Sequence, residues 1–150
     1  MERDLSRSLH ALTARLDRAA DTILRAEAGL SYSRFLALFM VRSLGADIQR
    51  ALAERLGVSE PSVSRMTRVL AEQGLLRVVA DPGGGNRRRL TLTTAGEQVV
   101  KRWGGDLEER FAALVDEAGV PYRRYADDTE RLLERLEAAE ASGNRGRTRR

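Results

Sequence analysis

Residues 49 to 75 read Gln-Arg-Ala-Leu-Ala-Glu-Arg-Leu-Gly-Val-Ser-Glu-Pro-Ser-Val-Ser-Arg-Met-Thr-Arg-Val-Leu-Ala-Glu-Gln-Gly-Leu. Leu52 and Leu56 lie four apart, and Val63, Met66 and Leu70 recur at three and four. Each half of the stretch therefore has one apolar stripe to bury against the other, as two short amphipathic helices would. Gly57 stands where the first stripe stops, and a left-handed residue that ends a helix is adopted without strain only by glycine. Ser59 offers a hydroxyl cap to the second helix, and Pro61 falls in that helix's first turn, where a missing N–H costs little. The pattern predicts a helix-turn-helix. Its second helix leaves Pro61, Ser62, Ser64, Arg65 and Arg68 on the outer face, with Ser59 at its start. Short hydroxyls and long guanidiniums on such a helix can reach base edges and phosphates in a major groove.

The following residues extend the motif. Gly74 closes the second helix, Leu75 to Val79 reads as a strand, Asp81 to Asn86 as a turn, and Arg89 to Thr93 as a returning strand with Leu90 and Leu92 on one face. A helix-turn-helix followed by a hairpin is a winged helix. The tip carries Arg87, Arg88 and Arg89. An arginine that enters a narrow minor groove gains from the concentrated negative potential there. By alternation Arg87 and Arg89 share the face opposite Leu90 and Leu92, and Arg87 is the residue favoured for the minor groove.

Charge is distributed to match. Between Arg50 and Thr93 eight arginines face four acids, Glu54, Glu60, Glu72 and Asp81, a balance of +4, whereas from Thr94 to Asn144 seven basic residues face twelve acidic ones, a balance of −5. The middle of the chain is suited to approach a polyanion and the later helices to avoid it.

The flanking segments are helical in pattern. Leu5, Leu9, Leu12, Leu16 and Ile23 mark a first helix that Gly29 ends, and Phe35, Leu36, Leu38 and Phe39 mark a second. Beyond the wing, Thr93 or Thr94 can cap a long helix with a stripe of Val100, Trp103, Leu107, Phe111 and Leu114, which Pro121 interrupts. Leu132, Leu133 and Leu136 define a last helix whose other faces carry Asp127, Asp128, Glu130, Glu134, Glu137 and Glu140. Residues 142 to 150 read as a disordered basic tail. Apolar stripes with little else to bury them against imply a partner helix.

The order of these elements, the Leu-Ala-Glu-Arg-Leu-Gly-Val-Ser turn, the Val-Ser-Arg helix, the Gly-Leu exit and the Leu-Thr-Thr-Ala-Gly that opens the next helix together resemble the MarR family of bacterial transcription regulators. The resemblance runs from about residue 5 to about residue 140. It implies a mainly α fold with a small β-hairpin wing: one domain over 1–150, with a DNA-binding region at 46–93 and helical dimerisation regions at 1–45 and 94–141. It also implies a homodimer on double-stranded DNA, a repressor's role, and release by a small aromatic or phenolic effector held between the dimer helices and the reading domain. His10, Tyr32, Phe39, Arg42 and Trp103 are the candidates to line that cleft, although Trp103 also falls in an apolar stripe and His10 on a helix flank. The wing departs from the family. The acidic-basic tip usual in MarR proteins falls here on Gly84-Gly85-Asn86, so the aspartate that braces the wing arginine is missing and Arg87 or Arg89 is expected to work unbraced.

Other classes find little support. The chain has no cysteine, so no disulfide framework, thiolate metal site or cysteine nucleophile is available, and its one histidine has no serine-acid context. Gly83-Gly84-Gly85 lacks the following Gly-Lys-Ser/Thr of a phosphate loop. Neither catalysis, a cofactor nor a metal is expected. No stretch approaches the roughly 20 apolar residues of a membrane span, and no signal-peptide core is present, so no membrane is expected and a cytoplasmic location is the default. The alternative that remains is a nonspecific architectural DNA-binding module, or a protein-docking winged helix.

Overall fold

Every helix up to the wing starts or stops where the sequence supplies a cap. In the computed structural model, which describes residues 4–45, 47–83, 85 and 87–147, helix α1 (Leu5–Ala28) begins on the Asp4 carboxylate, which accepts from the Arg7 N–H at 3.0 Å. It ends at Gly29. Helix α2 (Tyr32–Leu44) begins on the Ser31 hydroxyl, and α3 (Gln49–Leu56) ends at Gly57, whose φ of 66° bears out the left-handed turn. Helix α4 (Glu60–Glu72) begins on Ser59 and closes where the Gly74 N–H donates to the Ala71 carbonyl and the Leu75 N–H to the Leu70 carbonyl. Strands β1 (Leu76–Ala80) and β2 (Arg88–Leu92) form one antiparallel pair, with Val78 opposite Leu90 and Ala80 opposite Arg88. Helix α5 (Thr94–Glu117) and helix α6 (Tyr122–Arg147) follow.

The wing strands each sit one residue away from the expected spans, and backbone accounting explains why. Leu75 cannot start β1 because its N–H is used to close α4. Thr93 cannot end β2 because its Oγ accepts from the Gly96 N–H at 3.1 Å and its carbonyl from the Glu97 N–H at 2.9 Å, which makes it the cap of α5.

The chain divides into two compact units, Met1–Leu107 and Glu108–Arg150. The first unit holds a continuous core. Leu24, Leu38, Leu52, Val63, Leu70, Leu90 and Val100 are almost wholly buried, and Phe35, Leu76 and Trp103 pack with them. Each such leucine or valine contributes about 1.5–3 kcal/mol by leaving water. Thr67 is buried among them and satisfied: its hydroxyl accepts from Gln49 Nε2 at 2.8 Å and donates to the Ser64 carbonyl at 3.2 Å, which joins α3 to α4. At the α1–α2 corner, Asp21 accepts from Arg25 Nε at 2.6 Å and from the Tyr32 N–H at 2.9 Å. The Arg25 guanidinium, and after it that N–H, hold its carboxyl below the usual carboxylate range. Toward its N-terminus α1 is less covered, with Leu9, Leu12 and Leu16 half-buried and Leu5 exposed.

In the second unit, Phe111 is half-buried and Val115 buried, while Leu114 is exposed, so the stripe of α5 passes one residue beyond the position expected from spacing. The Tyr122 hydroxyl donates to Glu108, which ties the start of α6 to α5. Leu132, Leu133 and Leu136 are exposed on α6. The helix runs to Arg147, through part of the segment expected as a disordered tail. The Ser142 hydroxyl donates to the Ala138 carbonyl at 2.8 Å, and Ala138, Ala139 and Ala141 are strong helix formers that a reading by charge and glycine content undervalues. Residues 148–150 of that tail, and 84 and 86 of the turn, lie outside the described residues.

Candidate nucleic-acid interface

Helix α4 displays the expected residues on an outer face backed by Val63, Thr67 and Leu70. Pro61, Arg65 and Arg68 are exposed, and Ser62 and Ser64 are half-buried. The hydroxyls are organised before any ligand arrives. Ser59 accepts from the Ser62 N–H at 3.3 Å, the two side-chain oxygens lie 2.9 Å apart, and Arg65 Nη2 donates to Ser62 Oγ at 3.3 Å. Ser59 is thus first a cap, and Ser62 holds Arg65 on the open face. Ser64 contributes its carbonyl to Thr67. The arrangement presents two guanidiniums, one turn apart, above a rigid apolar base. That is a geometry suited to base edges and phosphates.

The wing corrects the expectation of an unbraced arginine. Arg89 lies between two carboxylates, with Nε 3.9 Å from Asp47 and Nη2 3.8 Å from Asp81. The backbone joins the same knot: Leu90 N–H donates to the Asp47 carbonyl, Ile48 bridges to Arg89, and the Asp81 N–H donates to the Arg87 carbonyl at 3.0 Å. A brace therefore exists, built from the strand exit and from the loop before α3 rather than from the hairpin tip. Its consequence is a division of labour. Arg89 is held back to Asp47 and Asp81, while Arg87 and Arg88 are exposed and have no acidic partner among the described residues.

The five candidate effector residues are only partly brought together. Tyr32 and Phe35 stack with centroids 6.4 Å apart, and Phe35 meets Phe39 at 6.3 Å. Burial, and then the Asp17 carboxylate, push the Tyr32 phenol above its ordinary value. Trp103 is in the core beside Phe35, with the Arg102 guanidinium 4.8 Å over its ring. Arg42, expected as a cation for an anionic ligand, already pairs with Glu97 at 2.8 Å. His10 is exposed on α1, eleven residues before the Asp21 that touches Tyr32, or about 16 Å along the helix. Two open clefts lie elsewhere. One of about 430 Å³ runs along α1 by Arg15, Arg18, Ala19 and Thr22, and one of about 370 Å³ lies between the α1–α2 corner and α4. Sequence reasoning missed Asp47, Asp81, Gln49 and Thr67. Only Asp81 carried a local signal, as the acid opening an Asp-Pro turn.

Comparison with known proteins agrees with this geometry. The sequence model of the MarR family matches residues 28–85. Among solved structures, the Staphylococcus aureus MepR–DNA complex superposes with a TM-score of 0.70 at 19% identity, covering 92% of this chain and 99% of that one. NadR in complex with 4-hydroxyphenylacetate gives 0.71 at 21% identity, covering 93% and 94%. The PcaV regulator of Streptomyces coelicolor with its natural ligand gives 0.65 at 23% identity, covering 93% and 99%. No curated protein matches the sequence closely enough to count.

Proposed function

We infer that this chain is a DNA-reading protein of the MarR family, a reading supported by the match of that family's sequence model to residues 28–85 and by superposition of solved members over nearly the whole length. It acts as a transcription regulator that binds a pseudo-palindromic operator as a homodimer. The observation that carries this reading is the outer face of α4, where Arg65 and Arg68 stand clear on a capped, rigidly backed helix next to a wing with two exposed arginines that have no acidic partner among the described residues. Arg65 reads bases in the major groove, Arg68 and the serines contact the groove wall, and Arg87 or Arg88 enters the minor groove. Leu5 in the first unit, and Leu132, Leu133 and Leu136 in the second, are exposed in the single chain and are residues that a second copy covers.

Repression released by a small aromatic or phenolic compound is the regulation that best fits the relatives, one of which holds 4-hydroxyphenylacetate. In this chain the Tyr32, Phe35 and Phe39 row supplies aromatic surface, and Arg42 becomes available to an anion only by exchanging Glu97. A surface pair is worth about 0–1 kcal/mol, so that exchange costs little.

Competition binding tests the reading. The protein prefers a selected operator over bulk DNA by ~10³ or more at physiological salt. Equal affinity for both would make it a nonspecific DNA organiser, and no affinity for either would favour a protein-docking role.

A further inference from the structure

The cleft between the α1–α2 corner and α4 holds charge that the proposed DNA contacts leave unused. Met66 and Val69 of α4 form its apolar side, Arg25, Ser33 and Arg34 line the corner, and Arg65 reaches it from the recognition helix. Arg25 is matched by Asp21. Arg34 is not: it is half-buried, and among the described residues it has no carboxylate partner, whereas Arg42, Arg50 and Arg89 each have one. Among the described residues Arg65 has the Ser62 hydroxyl and no carboxylate partner. Two guanidiniums on one cleft, to which the described residues supply no counter-charge, repel each other, and the arrangement becomes favourable when an anion enters. Guanidinium is the side-chain group best matched to the paired oxygens of a phosphate.

Resting on the reading that α4 enters the major groove, we propose that Arg34, with the Ser33 hydroxyl, grips a backbone phosphate on the strand bordering that groove. The cleft favours a backbone phosphate over a free small anion because it is open to solvent and shares Arg65 with the reading face. A recognition helix in a groove about 12 Å wide is flanked on each side by phosphates. The corner is also a place from which such a contact is firmly held, since Asp21 clamps Arg25 and the Tyr32 N–H on either side of the turn.

The test is titration of the full chain with labelled duplex, using a selected operator and an unrelated sequence, over a range of salt. Arg34→Gln weakens both duplexes by a similar factor, about ten-fold or more, and makes the log–log salt slope shallower by about two, one phosphate for each protomer of a dimer. Arg34→Lys keeps the slope. Ser33→Asp, at an exposed position, places a carboxylate against the phosphate and weakens both duplexes as well, so the proposal stays testable if Arg34→Gln does not melt like wild type. An Arg34→Gln protein that is folded and binds with wild-type affinity and slope overturns the proposal, as does calorimetry in which benzoate binds wild type but not Arg34→Gln while DNA binding is unchanged. Arg65→Ala separates the two levels. If it loses operator preference while Arg34→Gln changes nothing, only the phosphate grip fails; if wild type binds neither duplex, the DNA-reading function fails with it.

Discussion

The reading unit and the outer helices bury their leucines very differently. From α2 through the wing and into α5, Leu38, Leu52, Leu70 and Leu90 are at most 1% exposed. On α6, Leu132, Leu133 and Leu136 are 55–61% exposed, and Leu5 at the start of α1 is 65% exposed. The same residue type on equally regular helices is finished in one region and unfinished in the other. A reading head can be built from one chain because α3, α4 and the hairpin cover each other. The outward-facing stripes are where the proposed second copy would dock, since exposed apolar rows of this kind mark an association surface rather than a core.

The largest effect should come from removing that surface. A chain ending after Tyr125 lacks Leu132, Leu133 and Leu136, so it should sediment as a monomer and bind an operator about 10²–10⁴-fold more weakly, since two linked half-sites are lost. Amides around Leu70 should stay protected from exchange, because their core lies elsewhere. A truncated protein that remains a dimer, or one whose reading head melts with the deletion, breaks the contrast.

Changes inside the reading head should act on stability instead. Leu70→Ala leaves a cavity in a fully buried site and should cost about 2–5 kcal/mol. Gly96→Ala attacks from the other direction: a Cβ there would lie 2.1 Å from the Leu75 carbonyl oxygen, so α5 and the turn between α4 and β1 must separate. Overpacking of this kind costs about 1–3 kcal/mol, seen as a drop in Tm of several degrees. Equivalent changes at Leu133 in a protein held monomeric should scarcely alter Tm.

Arg65→Ala should cost ~1–3 kcal/mol at the operator and relax preference at one base position in each half-site, with an unchanged thermal melt. The wing arginines should split. Arg87→Ala weakens binding evenly across sequences, and most where an A·T-rich minor groove lies beneath the wing. Arg89→Ala loosens the wing through Asp47 and Asp81, pairs worth about 0–1 kcal/mol at a surface, so its effect on DNA is the smaller and is seen first as faster exchange of the Leu90 amide. If Arg89→Ala costs more binding than Arg87→Ala at equal stability, the assignment of the free and the held arginine is reversed.

The parts legible in the sequence were those fixed by short-range spacing. Gly57, Ser59, Pro61 and the stripe of Val63, Met66 and Leu70 state a turn between two helices within some twenty residues, and the structure follows them closely. What escaped depended on groups distant in sequence. Asp47 lies forty-two positions before Arg89, and no local period links them, so the wing brace became visible only once Ile48 and Arg89 were placed in one bridge. Arg42 and Glu97 met for the same reason. Thr67 is satisfied by Gln49, eighteen positions earlier on another helix, a pairing that no local period marks. The one-residue shift of each wing strand came from competition for single N–H and hydroxyl groups at Leu75 and Thr93, which spacing does not register.

The central claim is that two copies of this reading head are held in fixed register by the unfinished outer helices. Selection of bound duplexes from a random pool by the full-length protein tests it most directly. The account predicts enrichment of a pseudo-palindrome whose half-sites are centred about one helical turn, ~34 Å, apart. Enrichment of a single asymmetric half-site, or of no sequence at all, would contradict it.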